Sequence, residues 1–307
     1  MTNIHAPACL RHNKQGYVTT SHFLQPPTKQ TIMMKIITRL KNEYIMYKLW
    51  KNSQRYYRRG SRGGGISKRP AGDFCDLATV SFNNAKLISY QIRTLQKFFT
   101  YPFRYTVFDN STDDETSDEI YRLCSLHNVG YIRLPEQDFI PKGYGSYSHG
   151  IACNYLFYNY IQGGGSKYFG LIDHDIFPVE KFDINGYLEK QEFYGIKHGR
   201  YLWPGFFFVR MSHIENIKLD FRPSLWLHGD TGACNRYRLF RHVDFSKYET
   251  PSDEHRLFGN SKDIFEDGYS YFSCGWIHCW NASNYMGKDM HDKMRRIFLL
   301  LEEALNR

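Results

Sequence analysis

Between residues 76 and 173, apolar runs of strand length alternate with amphipathic stretches of helix length. DLATVSF (76–82) has the composition of a strand, and NNAKLISYQIRTLQKFF (83–99) that of a helix opened by asparagine. FRYTVFD (103–109) follows as a second strand. DDETSDEIYRLCSLH (113–127) is the next helix, with acids in its first turn where the helix dipole favours them. VGYIRL (129–134), the helix SHGIACNYLFYNYI (148–161) with Ser148 as its cap, and the strand KYFGLID (167–173) continue the order. Such an order predicts an α/β fold: a Rossmann-like, mostly parallel sheet flanked by helices, with ligands at the carboxyl ends of its strands. The Gly163–Gly165 run precedes a strand and opens no helix, so it reads as a connection and not as a phosphate loop. Beyond 180 the pattern is less regular. An apolar run YLWPGFFFVR (201–210), a turn-rich HGDTG (228–232), strand-like YSYFS and WIHCW within 269–280, and a closing helix are its landmarks.

The net charge of +9 is not spread evenly. Residues 33–69 hold eleven Lys and Arg against one acid, Glu43, while residues 70–307 are mildly acidic. This distribution argues against a nucleic-acid surface over the whole body, and no nucleic-acid partner is expected. Residues 1–32 show no period, contain Pro26-Pro27, and are expected to be disordered. From Met34 to Tyr57, Ile37, Leu40, Tyr44 and Tyr47 recur at helical spacing among basic residues. The segment 33–69 is therefore expected to be a basic amphipathic helix and linker attached outside the sheet. Its helix, within 33–60, either lies on an anionic membrane surface or packs on the domain. The seven cysteines form no CxxC pair, which points to reduced thiols and a cytoplasmic setting. No apolar run reaches the length of a membrane span, and the N-terminus lacks the apolar stretch of a secretory signal.

The strongest local signal for chemistry is YFGLIDHDIFPVE (168–180). An apolar strand delivers Asp173 and Asp175, one residue apart, and alternate residues of an extended chain point the same way. Two carboxylates so placed suit a hard cation, Mn²⁺ or Mg²⁺, that also bridges phosphate oxygens. Asp109 stands where the second strand stops, at the sheet's carboxyl edge, and a carboxylate there can accept from a base or a ribose hydroxyl. An Asx turn into the next helix is the plainer account of it. His278, between two tryptophans in WIHCW, can complete a metal shell or serve as a buried structural histidine. Trp203, Phe206 and Trp226 are candidates for stacking on sugar faces as well as for core packing.

Taken together, VSFNN, VFDNSTDDET, HGIACN, LIDHDIFP and WPGFFFVR resemble, in this order, the family 2 type glycosyltransferases of the GT-A fold. The resemblance covers about residues 76–210. It implies one GT-A unit over 70–307, with 70–180 as the nucleotide-sugar-binding half and 181–307 as the acceptor half. It implies that Ser81 and Asp109 line the nucleobase and ribose pocket, that Asn154 belongs to the donor side, and that Asp173 and Asp175 hold metal and donor diphosphate. The donor would be a nucleotide sugar, a UDP-sugar first, and the acceptor a glycan or lipid-linked sugar. His174 replaces the family's small residue between the acids, and no QxxRW motif is present, which favours transfer of a single sugar. An inverting transfer needs a carboxylate base. Asp230 is preferred because Gly229 and Gly232 let its loop bend, with Asp253 and Glu254 as alternatives. Two other readings stand beside this one: a nucleotidyltransferase, although VSFNNAKLIS offers no Gly-rich basic loop, and a non-enzymatic binding protein with a basic tail.

Overall fold

A computed structural model describes residues 29–61, 71–224, 229–259, 263–282 and 290–307. Four parallel strands make the centre of the larger sheet: β1 (Gly72–Ser81), β2 (Phe103–Asp109), β3 (Gly130–Arg133) and β4 (Ser166–Ile172). Beyond 180 the chain adds β6 (Phe193–His198) and β7 (Tyr201–Arg210), with β7 antiparallel to β4, to give the order β3-β2-β1-β4-β7-β6. A second, antiparallel sheet has the order β5-β10-β9-β8, built from β5 (Ile176–Pro178), β8 (Asp253–Leu257), β9 (Gly268–Phe272) and β10 (Trp276–His278). This is the mixed α/β architecture, mostly parallel at its centre and flanked by helices, that the alternating pattern predicts. Because β7 pairs with β4 from Ile172 to Tyr168, the two halves divided at 180 share one sheet and one core.

The helices follow from their local chemistry. Asn84 caps α2 (Ala85–Phe98) by accepting the N–H of Leu87, and Leu87, Ile88, Ile92 and Leu95 form its buried stripe. Asp113 caps α3 (Asp114–Leu126) in the same way. The cap of α4 (Gly145–Leu156) differs from expectation. The helix opens one turn early, after Tyr144, and no side chain caps it. The Ser148 hydroxyl instead donates to Gln137 Oε1 at 2.6 Å, a partner eleven residues away that local pattern does not disclose. The C-terminal helix (His291–Asn306) packs on α2 through Tyr90 stacked on Phe298 at 4.7 Å and an Arg93–Glu302 pair with contacts of 2.7 and 3.0 Å.

At the other end of the chain, α1 (Lys29–Tyr56) starts four residues before the expected boundary, so residues 29–32 are helical; residues 1–28, expected to be disordered, lie outside the described residues. The reading in which this helix packs on the domain holds for its last turns. Leu49, Ser53 and Tyr56 are buried, and Tyr56 lies 5.2 Å from the ring of Tyr155 on α4, so the last two turns belong to the domain core. Met33, Met34, Ile37, Leu40, Tyr44, Tyr47 and Trp50 remain exposed. Among the described residues no helix is long and apolar enough to cross a membrane.

Candidate active site

The carboxyl end of β4 is held from two sides. The Asp173 N–H donates to Gly205 C=O on β7 at 2.8 Å, and the side-chain amide of Gln91 on α2 donates to the carbonyls of Asp173 and Ile176, both at 2.8 Å. Between those points the chain does not stay extended. Ile176 N–H returns to Asp173 C=O at 3.1 Å, so Asp173, His174 and Asp175 form a turn. The expectation that strand alternation aims both acids one way is corrected accordingly: the turn gives each carboxylate its own neighbours. His174 points back into the sheet, where its Nδ1 accepts the Phe82 N–H at 3.1 Å and ties the end of β4 to the end of β1.

Asp175 faces the second sheet. On β10 His278 lies opposite Ile176, and the Cys279 N–H donates to the Asp175 carbonyl at 2.9 Å. This register brings His278 Nε2 to 3.6 Å from Asp175 Oδ1. The imidazole is held between Trp203 and Trp280, each 5.0 Å away, with Trp280 stacked on it. Lys293, almost fully buried, donates to the carbonyls of Ile264, Phe265 and Trp280, which pins the segment after His278.

Asp173 lies beside α4. His149 Nε2 is 3.3 Å from Asp173 Oδ1, an oxygen that is buried and has no hydrogen bond of good geometry. Sequence reading missed His149, although topology contains the signal. A helix that follows a parallel strand runs back with its first turns at the strands' carboxyl edge, and HGIACN places His149 in that part of α4. Asp230 approaches from the loop after the Ser224–Gly229 bridge. The Thr231 hydroxyl anchors this loop to Ser146 C=O at 3.1 Å, and Gly232 (φ +83°) lets it turn over Pro204. The Asp230 carboxylate accepts the Thr231 N–H at 2.7 Å and is close enough to Asp173 and His149 to bias the protonation of both.

Burial, then the Asp230 charge, pushes the Asp173 carboxyl up to about 7; burial, then Asp173, raises Asp175 well above the usual carboxylate range. His174 and His278 move the other way, to about 4 and about 3, because burial disfavours their charged forms. The signs are separable by pH. Histidines held neutral stabilise the fold increasingly as pH rises towards about 6.5, whereas carboxyls with raised pKa lose stability as pH rises above their unfolded value near 4. Above pH 6.5 the carboxyls still titrate, and His149, whose pKa is raised against the effect of burial by Cys153 and Asp230, loses its stabilising charge over the same range. Metal-free protein is therefore expected to lose stability as pH rises from 6.5 to 8. Denaturant melts at the two pH values check this, and Asp175→Asn is expected to flatten the slope.

The chemistry of these donors fits a cation only in part. Among the described residues no three His, Cys, Asp or Glu side chains converge into a metal cage. The Asp175–His278 pair and the orphaned oxygen of Asp173 instead match a hard divalent ion that takes one or two protein ligands and fills its shell with phosphate oxygens and water.

Other expected residues are placed differently. Asp109 is fully buried, and its carboxylate accepts from Ser81 Oγ, from Ser111 N–H and Oγ, from Ser117 Oγ and from Tyr131 OH. Ser81 is fully buried too, so this pair frames the carboxyl edge from beneath and exposes no atom there for a nucleoside. Asn154 sits on the far part of α4, its amide donating to Tyr57 OH and Asp220 Oδ1 and its carbonyl accepting Phe221 N–H. All its polar atoms serve the packing of α1 and α4 against residues 220–222, which corrects its donor-side assignment. Asp253 and Glu254 lie on β8, at the far edge of the second sheet, paired with His255 and Arg256. Phe206 is core, packed on Trp276 at 5.0 Å, while Trp226 lies outside the described residues.

No protein-family model matches the sequence, and no curated protein matches it. Among solved structures, the chain is similar to the mannosyltransferase PcManGT of Pyrobaculum calidifontis, determined with GDP-Man and Mn²⁺. The two share 12% identity over 59% of this chain and 56% of that one, with a TM-score of 0.33. TarS of S. aureus gives 15% identity over 49% and 30%, with a TM-score of 0.37. The mannosyltransferase Ktr4p of S. cerevisiae gives 10% over 57% and 67%, with a TM-score of 0.33. The chain thus spans about half of the first of these proteins and under a third of the second. What the site can do has to be read from its own residues.

Proposed function

We infer that this protein is a glycosyltransferase that moves a single sugar from a nucleotide-sugar donor to a glycan or lipid-linked acceptor. The observation that carries the reading is the arrangement at the carboxyl end of β4. There Asp173 and Asp175 sit on one tight turn, Asp175 beside a neutral His278 and Asp173 within the field of Asp230. Asp175 and His278 would hold Mn²⁺ or Mg²⁺ together with the donor diphosphate, with Asp173 on the same turn as an outer carboxylate. A divalent cation held by these residues would supply charge neutralisation for the leaving diphosphate. Asp230 accepts the proton of the acceptor hydroxyl as its oxygen bonds the anomeric carbon and the bond from that carbon to the diphosphate breaks, with inversion. His149, near Asp173 and Asp230, orients the first and limits repulsion between the two. Trp203, against His278, borders the place of the transferred sugar.

Hydrolysis of a panel of UDP- and GDP-sugars, with Mn²⁺ and with chelator, tests this. Free sugar and nucleoside diphosphate are expected only with metal. Release of pyrophosphate instead would make the protein a nucleotidyltransferase, and no turnover of any donor would leave a binding protein.

The exposed apolar stripe of α1, set among basic residues, suits the surface of an anionic membrane, and we place lipid-linked acceptors there. Deleting residues 1–69 would remove Leu49 and Tyr56 from the core, so substitution is the cleaner probe. Ile37→Ser with Leu40→Ser and Tyr44→Ser is expected to weaken binding to anionic liposomes at least about tenfold, each side chain contributing on the order of 1 kcal/mol. Undiminished sedimentation at low salt would end the membrane role.

A further inference from the structure

A cavity lies where the β6–β7 hairpin meets residues 240–246. It measures about 330 Å³ and lies half open to solvent at the surface. Phe240 and Phe245 line its apolar side; Lys197, Arg200 and Arg241 bring cations to its rim, against the single carboxylate of Asp244. Within the described residues no ion pair engages any of the three cations. Lys197 rests 5.8 Å from the centre of the Phe245 ring, and Asp244 is occupied by the N–H and hydroxyl of Ser246. Lysines commonly guard the edge strand of a sheet, and β6 is such an edge. That accounts for Lys197. It does not account for Arg241, which comes from another part of the chain and lines the same cavity.

Position ties this cavity to the site. Phe206 is opposite Ile172, the last residue of β4, so residues 201–205 run past the carboxyl edge and carry the hairpin tip to the side of the sheet where Asp173 and Asp230 lie. Gly199 (φ +63°) makes the tip sharp. The residue after Arg200, Tyr201, is buried beside Asp230, whose carboxylate is second only to burial in raising the phenol's pKa.

We propose that this cavity is an acceptor subsite for a phosphoryl group, so that the substrate of this site is a phosphate-bearing acceptor whose hydroxyl reaches Asp230. The proposal rests on the transferase reading above and names the acceptor's chemistry. Arginine forks pair with phosphate oxygens in two-point contacts, and a phosphoryl group on a sugar- or polyol-sized body matches both the cationic rim and the apolar floor.

The test is calorimetry on the full chain with chelator present, so that the acidic site cannot take phosphate through a metal. Glycerol 3-phosphate is the soluble probe, glycerol its control, and neutral vesicles with and without a polyprenyl phosphate are the lipid arm. Binding of a phosphorylated probe, and not of its control, is expected for the wild type and is expected to weaken about tenfold or more in Arg200→Glu with Arg241→Glu. Both positions are exposed, and an unchanged melting temperature verifies the fold. Binding of glycerol 3-phosphate assigns the group to a soluble glycan or polyol, and binding of the doped vesicles alone assigns it to a lipid-linked one. Equal binding by wild type and variant, or none by the wild type in either arm, overturns the proposal and leaves a solvated sheet edge. Donor hydrolysis by the wild type is measured separately. If it fails while the phosphorylated probe still distinguishes the variant, the transferase reading falls and the anion site stands.

Discussion

Asp175→Ala is expected to fold normally and to lose metal-dependent binding of a nucleoside diphosphate. The carboxylate is buried beside a neutral imidazole and a second acid, so in the metal-free state its charge is a liability to the fold. Removing it is therefore expected to leave the melting temperature at neutral pH unchanged or higher, because the turn is held by backbone and by Gln91, and the Cys279 N–H bonds the main-chain carbonyl. Loss of residues that merely support a metal ligand usually weakens binding 10- to 100-fold, and loss of the ligand itself is expected to cost at least about a hundredfold. Titration of UDP and GDP with and without Mn²⁺ reads this directly. Wild-type Mn²⁺-dependent affinity in the variant would remove Asp175 from the metal site and, with it, the main support for the transferase reading.

Asp230→Asn is expected to separate binding from chemistry. In the folded protein its carboxylate accepts one local N–H, that of Thr231, and an amide oxygen can accept the same bond. The loop is fixed independently through Thr231 to Ser146 and through Gly232 against Pro204. The variant should therefore melt close to wild type and bind donor with metal. Loss of a general base removes about 10²–10⁴ of rate, so transfer should fall by that factor while donor affinity holds. Melting several degrees early with turnover intact would identify Asp230 as a turn residue only. Retained anomeric configuration in the product would remove the need for a base at this position.

Much of the fold was legible because it depends on short-range chemistry. Apolar runs of two-residue and 3.6-residue period, the caps Asn84 and Asp113, and the acids at the start of α3 each report on a few neighbouring residues. The strands at 76–82, 103–109, 129–134 and 167–173 accordingly fall within about four residues of the observed bounds. Ser148 was misread for the same reason: its partner Gln137 belongs to another segment.

The candidate site divides along the same line. From the sequence alone came the apolar strand that ends in Asp173 and Asp175, the glycines that free the Asp230 loop, and the position of His278 among tryptophans. Tertiary structure alone decided which polar groups remain for a ligand. Asp109 is consumed by Ser81, Ser117 and Tyr131, which lie between 8 and 28 residues away, and Asn154 by partners 66 and 67 residues on and by Tyr57. His149 reaches Asp173 across 24 residues because α4 returns with its first turns at the strands' carboxyl edge. The physical reason is common to all of them. A residue's type and local conformation are set by its neighbours in the chain, whereas the availability of a buried polar atom depends on which partners the long-range sheet register and helix packing bring within about 3 Å of it.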